Sequence, residues 1–177
     1  MTFPLLRRLL LAVALAAVAC APAPRSPQPN ATSGELLEFT GTWNGVGTRH
    51  AIALGQGRLG AIVNLTGSLL LTGDGRPGVG FHSEVIGLTD TVTGFQGRSV
   101  WTDEHGDQVY SELTGEGTAA RNRIIGNILS GTGRYAGLTG SYEFSWQWVM
   151  DGEEGLVQGR AVDIRGRVQG GRAGSAP

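Results

Sequence analysis

Aromatic and polar side chains alternate along the chain between residues 141 and 148. A period of two places successive side chains on opposite faces of a β-strand. One face then carries Tyr142, Phe144, Trp146 and Trp148, and the other carries Ser141, Glu143, Ser145 and Gln147. Each buried aromatic side chain removes roughly 150–250 Å² from water. The pattern therefore predicts a strand that forms one wall of a β-sheet core.

Glycine separates this strand from others of the same kind. The chain has 30 glycines in 177 residues, against roughly 7% in average proteins, and they follow no Gly-X-Y period. They instead lie between short runs of apolar, aromatic and β-branched residues, which is typical of strands joined by tight turns. The runs predict nine strands, at residues 36–47, 49–54, 61–71, 79–88, 94–102, 108–115, 122–129, 140–150 and 156–168.

The number and spacing of these strands indicate the fold class. No window after the first twenty residues has a sustained helical period, so the chain is expected to be all-β. Consecutive short strands favour an antiparallel meander, and closure into a barrel removes its exposed edges. We therefore predict a small closed antiparallel barrel of about eight strands. A two-sheet sandwich is the alternative.

The first twenty residues have the order of an export signal. Arg7 and Arg8 precede an apolar run, and small residues lead to Cys20. The apolar run is shorter than the roughly 20 residues that span a bilayer, and its charge pattern is that of a signal peptide. Two alternatives are an ordinary signal peptide that leaves a free thiol and a twin-arginine signal. The flanking residues lack the rest of the twin-arginine pattern.

The ending Ala17-Val18-Ala19-Cys20 resembles the lipobox of bacterial lipoproteins, although Ala17 stands where that family most often has Leu. The resemblance implies that Cys20 is lipidated, carries palmitate-type acyl chains and becomes the first mature residue. Cys20 is the one cysteine in the chain, and an exposed unpaired thiol is a liability in an oxidising compartment. Ala21 in the next position implies sorting to the outer membrane, with the folded part facing the periplasm.

The predicted domain organisation follows from these segments. Residues 1–19 are the lipoprotein signal peptide, and the Pro- and Ser-rich residues 20–34 are a disordered tether. Residues 35–169 form the β-barrel domain, and residues 170–177 are a disordered tail. The whole chain has 14 basic and 15 acidic residues, which gives no electrostatic case for nucleic-acid binding.

A glycine-rich segment precedes the aromatic strand. Its sequence is Ser130-Gly131-Thr132-Gly133-Arg134-Tyr135-Ala136-Gly137-Leu138-Thr139-Gly140. This Gly-Thr-Gly-Arg-aromatic turn resembles the allene oxide cyclase-like barrels and the related dirigent-like proteins, which are calycin-like eight-stranded barrels. We expect Gly131 and Gly133 to allow a tight turn and Tyr135 to pack on the barrel end. The resemblance implies a fold and leaves open a homo-oligomer, since several relatives form dimers or trimers, but it identifies no catalytic residue.

Few residues suggest catalysis or metal binding. His82 and Glu84 share one strand face and form a candidate acid/base pair, although that face is also expected to meet solvent. Glu112 and Glu143 become candidate general acids only if the lumen is polar, with Arg98 or Arg160 as a partner. The three histidines lack metal-ligand spacing, and the acidic turn around His105 lacks the spacing of an EF-hand loop. No metal and no cofactor is therefore expected.

The remaining candidates are aromatic. An apolar ligand pocket is expected to be lined by Trp43, Trp101, Tyr142, Phe144, Trp146 and Trp148, although each is also a natural core residue. The sequence thus favours a non-catalytic barrel that binds a small apolar ligand or a protein partner. The alternative is a cyclase- or isomerase-like enzyme that acts on a hydrophobic substrate inside the barrel.

Overall fold

A computed structural model describes residues 36–73, 76–116 and 122–170 of the chain. The predicted signal peptide, the lipidated Cys20, the tether at residues 20–34 and the tail beyond residue 170 lie outside the described residues. No helix in the described part of the chain is long and apolar enough to cross a membrane.

Eight β-strands make up almost all of the described chain. They are β1 (Leu37–Gly55), β2 (Arg58–Gly73), β3 (Arg76–Asp90), β4 (Gly94–Asp103), β5 (Gln108–Gly115), β6 (Asn122–Gly131), β7 (Thr139–Asp151) and β8 (Leu156–Gln169). Each strand pairs antiparallel with the next, and β8 pairs with β1. The prediction of an all-β closed barrel is confirmed, and the two-sheet sandwich is wrong.

The first two predicted strands are one continuous strand. Thr48, which was expected to separate them, pairs with Asn64 on β2 and with Leu156 on β8. Because a β-branched residue is well suited to extended backbone, the chain passes through this position without turning. The nine predicted strands therefore become eight.

The packed core of the barrel is built from side chains at alternate positions of every strand. The buried cluster consists of Trp43, Leu65, Leu69, Phe81, Val85, Trp101, Val109, Leu113, Ile124, Ile128, Tyr142, Phe144, Val157, Ala161 and Ile164. The polar positions of the 141–148 segment lie on the outer side or at intermediate exposure. The alternation seen in the sequence is therefore the alternation between core and surface.

A small polar group lies within this core. Ser83, Ser99 and Ser111 are buried, and the Tyr142 hydroxyl hydrogen-bonds the Ser99 hydroxyl at 3.2 Å. Burial raises the pKa of Tyr142 to about 12, so the phenol stays neutral at ordinary pH. Small serines on neighbouring strands leave room for the large ring and give its hydroxyl a partner, as a buried polar group requires.

One end of the barrel is covered in part by the segment between β6 and β7. At this end, called the plugged end, Tyr135 and Leu138 of that segment pack against the core. The Tyr135 ring lies 5.7 Å from the Phe81 ring, as expected from its place in the glycine-rich segment. The Thr132 backbone N–H donates to the Gln108 carbonyl at 2.8 Å, and the Gln108 N–H donates to the Thr132 hydroxyl at 2.8 Å. These contacts hold the segment over the core.

Gly133 is required for this closure. Its φ is +49°, and a Cβ on it would lie 1.8 Å from Oδ1 of Asp107. The Asp107 carboxylate occupies that space and accepts the Arg134 backbone N–H at 3.1 Å. Glycine is thus needed both for its backbone angle and for the missing side chain.

Candidate functional site

The opposite end of the barrel contains an internal cavity of about 310 Å³. At this end, called the cavity end, lie the β1–β2 hairpin, the β3–β4 turn and the β7–β8 connection. The lining is mostly apolar and comes from seven strands. It comprises Trp43, Arg49, Ala51, Leu59, Gly60, Ala61, Val63, Leu65, Val85, Thr89, Thr91, Phe95, Leu113, Ile124, Phe144, Trp146 and Trp148. Ligand pockets typically measure about 300–1,000 Å³ and are mainly apolar, so this cavity suits a small molecule.

Three tryptophans form one side of the cavity. The Trp43 and Trp146 rings are 5.1 Å apart, and the Trp146 and Trp148 rings meet edge to face at 5.3 Å. Gly159 on β8 makes room for this arrangement, because a Cβ there would lie 2.2 Å from the Trp146 ring. Packed rings in tilted and edge-to-face geometry are held more firmly than isolated side chains. The wall is therefore largely formed before any ligand arrives.

The tryptophan rings present carbon to the cavity. The Nε1 atoms of Trp43 and Trp146 are shielded from water, and no hydrogen-bond acceptor for them lies in the described part of the chain. A ligand atom of ordinary size would therefore meet their ring faces and edges, with the N–H groups turned into the wall. Binding here depends on apolar contact.

Polar side chains are confined to the rim of the cavity. Thr89 and Thr91 line it near the β3–β4 turn, and Arg49 lines it from β1. The Arg49 guanidinium lies 5.5 Å from the centre of the Trp148 ring, within the range of a cation–π contact. It also donates to Oδ2 of Asp151 at 2.5 Å. Contacts with Trp148 and Asp151 of β7 therefore hold the Arg49 side chain at the mouth of the cavity.

The rim is braced by contacts between the two hairpins at this end. Arg58 donates to both carboxylate oxygens of Asp90, at 2.9 and 3.0 Å from its Nε. The hydrogen bond from Arg58 and the Val92 backbone N–H lower the pKa of Asp90 to about 2. The Thr91 N–H donates to the Leu59 carbonyl at 3.0 Å. Two of the loops that surround the mouth are therefore fixed to each other.

Four of the six aromatic residues predicted to form a pocket line the cavity. These are Trp43, Phe144, Trp146 and Trp148. Trp101 and Tyr142 lie deeper and surround a void of about 20 Å³, which also meets Ser83 and Ser99. A void of that size is large enough for about one water molecule. Trp101 and Tyr142 are thus part of the packed core below the cavity.

Sequence reasoning missed the cavity-lining residues of β2 and the rim arginine. Ala61, Val63 and Leu65 alternate along β2 and belonged to a predicted strand, but they looked like ordinary core positions. The signal for Arg49 was its place at an odd-numbered position of β1, in step with Trp43. That position shares a face with Trp43 only because Leu37–Gly55 is one continuous strand.

The four candidate catalytic residues lie on the outer face of the barrel. His82 and Glu84 are exposed on β3, where the His82 ring hydrogen-bonds the Thr66 hydroxyl at 3.2 Å. Glu112 pairs with Arg98 at 3.0 Å. Glu143 pairs with Arg123 and with Arg165 on neighbouring strands, and the Arg123 guanidinium is the main cause of its lowered pKa. None of these four side chains lines the cavity.

The acidic turn between β4 and β5 forms a structural network at the plugged end. Asp103 is buried and accepts the backbone N–H groups of His105 and Asp107 at 2.8 and 3.0 Å. Burial alone would raise the pKa of Asp103, but these hydrogen bonds, together with Tyr135 and the nearby Arg134, lower it. The described residues include no group of three or more His, Cys, Asp or Glu side chains placed to hold a metal.

A larger groove of about 760 Å³ runs along the outside of the barrel. It is lined partly by Glu38, Glu143, Arg165 and Arg167. These charges pair with one another, since Arg167 donates to Glu38 at 2.8 Å and Arg165 donates to Glu143 at 2.9 Å. The groove is open to solvent and its charges are mutually neutralised, so the internal cavity is the stronger candidate for a binding site.

Comparison with known proteins adds no identification. No protein-family model matches the chain, and no curated protein matches it at a significant level.

Proposed function

We propose that this protein binds a small apolar molecule in the cavity of its barrel and does not transform it chemically. The observation that carries the proposal is the apolar cavity of about 310 Å³ bounded by three tryptophans. Transfer of an apolar ligand from water into an apolar cavity removes its surface from water, and that burial favours binding. The packed tryptophan wall and the braced rim lower the entropic cost of ordering the site.

Catalysis is less well supported by the geometry. A cyclase or isomerase needs an acid or base that reaches the substrate. The described residues that line the cavity include no carboxyl, histidine, cysteine or tyrosine side chain. Glu112, Glu143, His82 and Glu84 face away from it. Binding without catalysis is therefore the function that the residues at the cavity support best.

The protein is further proposed to act as a lipoprotein of the cell envelope, attached through acyl chains on Cys20 and facing the periplasm. The support is the Ala-Val-Ala-Cys ending and the Pro- and Ser-rich residues that follow it. β1 begins at the plugged end of the barrel, opposite the cavity. The chain therefore enters the barrel at the end that does not contain the cavity.

The cavity can be tested by filling it. Ala61 is buried and lines the cavity, whereas its neighbour Ile62 points outward and is 63% exposed. We expect Ala61→Phe to weaken binding of the neutral dye N-phenyl-1-naphthylamine by about tenfold or more, because the new ring occupies the ligand's space. Ile62→Phe is the matched control and is expected to bind normally. The measurement is dye fluorescence on titration, with circular dichroism to confirm folding.

A second cavity-filling variant keeps the test possible if Ala61→Phe does not fold. Thr89→Phe introduces the same ring from the neighbouring strand β3, where Thr89 pairs directly with Ala61 and also lines the cavity. Equal dye affinity in native protein, in Ile62→Phe and in either folded cavity variant would overturn the proposed binding site. Absence of dye binding to the native protein would do the same.

The anchor has its own test. We expect Cys20→Ser to move the protein from the membrane fraction to the soluble periplasmic fraction when the full chain is expressed in a two-membrane bacterium. The physical reason is that the acyl chains supply the apolar surface that holds such a protein on the bilayer. The measurement is fractionation followed by immunoblotting. A Cys20→Ser protein that stays with the membranes contradicts lipid anchoring.

A further inference from the structure

Arg49 is the one charged residue among the described side chains that line the cavity. Its side chain is 30% exposed, so it faces both the cavity rim and solvent. The rest of the lining is apolar except for two threonines, one of which, Thr91, already accepts the Leu59 backbone N–H at 3.1 Å. A ligand that fills the cavity therefore meets carbon over most of its surface and a single positive group at the mouth.

The Arg49 guanidinium has more N–H donors than its bond to Asp151 uses. It has five N–H donors in a planar fork, and its bond to Asp151 uses one nitrogen and one carboxylate oxygen. The Asp151 side chain is 56% exposed. An exposed ion pair of this kind contributes little to stability, so Asp151 can yield its place to another carboxylate at small cost.

The position of the guanidinium is nevertheless well defined. The Trp148 ring lies under it at 5.5 Å. The backbone carbonyl of Arg49 is covered by Gly155, where a Cβ would lie 2.5 Å from that oxygen. The end of β7 therefore contacts the Arg49 side chain, and Gly155 in the β7–β8 connection lies close to its backbone. Pre-positioned arginine is well suited to bidentate recognition of a carboxylate.

We infer that the ligand is an apolar molecule ending in a carboxylate, with its apolar body in the cavity and its carboxylate on Arg49. This inference rests on the proposed binding function and defines the chemistry of its ligand. A positively charged head group would face repulsion from Arg49, and the one carboxylate that the structure places on Arg49, that of Asp151, is already paired with the guanidinium. A neutral hydroxyl head would leave the charge-assisted hydrogen bonds unmade.

Three probes with the same ten-carbon chain separate these cases. Decanoate, decanol and decyltrimethylammonium are each used to displace N-phenyl-1-naphthylamine from the protein. The protein is the full chain carrying Cys20→Ser, because a chain without acyl groups can be studied without detergent. We expect decanoate to bind about tenfold more tightly than decanol, in line with hydrogen bonds to charged groups. Decyltrimethylammonium is expected to bind more weakly than either.

Substitution of the arginine assigns the effect to one residue. Arg49→Met is expected to lose the preference for decanoate while keeping its affinity for decanol. Arg160→Met is the matched control, because Arg160 is exposed on the outer face and donates to Gln147 at 3.0 Å. It removes the same charge from a residue that does not line the cavity and is expected to leave the preference intact. Arg49→Lys is expected to retain part of it, since lysine keeps the charge and loses the fork.

The outcomes distinguish the ligand class from the binding function. Equal binding of decanoate and decanol, or an unchanged preference in Arg49→Met, overturns the carboxylate inference while the cavity still binds apolar probes. Tighter binding of decyltrimethylammonium also overturns it. Failure of the dye and all three probes to bind contradicts the proposed binding function itself.

Discussion

Gly67→Ala is expected to lower the free energy of unfolding by about 3 kcal/mol or more, at the upper end of the range for overpacked cores. A Cβ at Gly67 would lie 1.8 Å from the backbone carbonyl oxygen of Asn44 on β1. The contact is with main chain, so no side-chain rotation relieves it. β1 would have to move away from β2 along the longest ladder of the barrel. The measurement is chemical denaturation followed by circular dichroism.

Gly80 supplies the matched control. It lies in β3, where a Cβ would meet no atom within 4 Å. Gly80→Ala is expected to leave stability unchanged or raise it by about 0.5 kcal/mol, because alanine loses less backbone entropy on folding than glycine. Equal destabilisation by both substitutions would show that the close approach of β1 and β2 does not constrain the fold.

Trp101→Ala is expected to cost about 3–5 kcal/mol, the usual range for removing a buried aromatic side chain. Trp101 lies at the centre of the core, with ring centres 4.7 Å from Tyr142 and 5.9 Å from Phe81. Removal of the Trp101 side chain leaves a cavity between the Tyr142 and Phe81 rings, which both pack against it. Since small domains have only about 5–15 kcal/mol of stability, the variant is expected to unfold at markedly lower denaturant concentration.

A second tryptophan separates stability from binding. Trp148 is 37% exposed and lies at the cavity mouth. We expect Trp148→Ala to change the unfolding midpoint far less than Trp101→Ala. A Trp148→Ala protein as unstable as Trp101→Ala would contradict the division of the interior into a packed core and a ligand cavity.

Much of the fold follows from local pattern. The alternation from Tyr142 to Trp148 placed its aromatic side chains correctly on the inner face, because the two-residue period of a strand leaves few alternatives when one face is buried. Glycine and aspartate marked most of the turns. The error at Thr48 arose because a glycine inside a strand looks locally like a turn. In the barrel, Gly47 is a point of close strand approach, where a Cβ would lie 1.9 Å from the Asn64 carbonyl oxygen.

The site depends on information that single strands do not contain. Whether Trp146 lines a cavity or belongs to solid core depends on which residues face it from β1, β2 and β8. Trp101 and Tyr142 are aromatic residues at alternating strand positions, as the cavity tryptophans are. They nevertheless lie deeper in the barrel, where packed side chains fill the interior. Arg49 became part of the site through the register of β1 against β2, where it pairs with Val63. Register is a property of the assembled sheet.

The pairing of β1 with β8 has a consequence for how the barrel folds. Leu37 pairs with Val168, so the ladder that closes the barrel joins residues from opposite ends of the described chain. Such contacts carry a high loop-closure cost and slow folding. Until β8 has joined, β1 and β7 both present unpaired edges, which are prone to pair with other chains. The barrel is therefore expected to fold only after its last strand has been synthesised, and shortened chains are expected to aggregate.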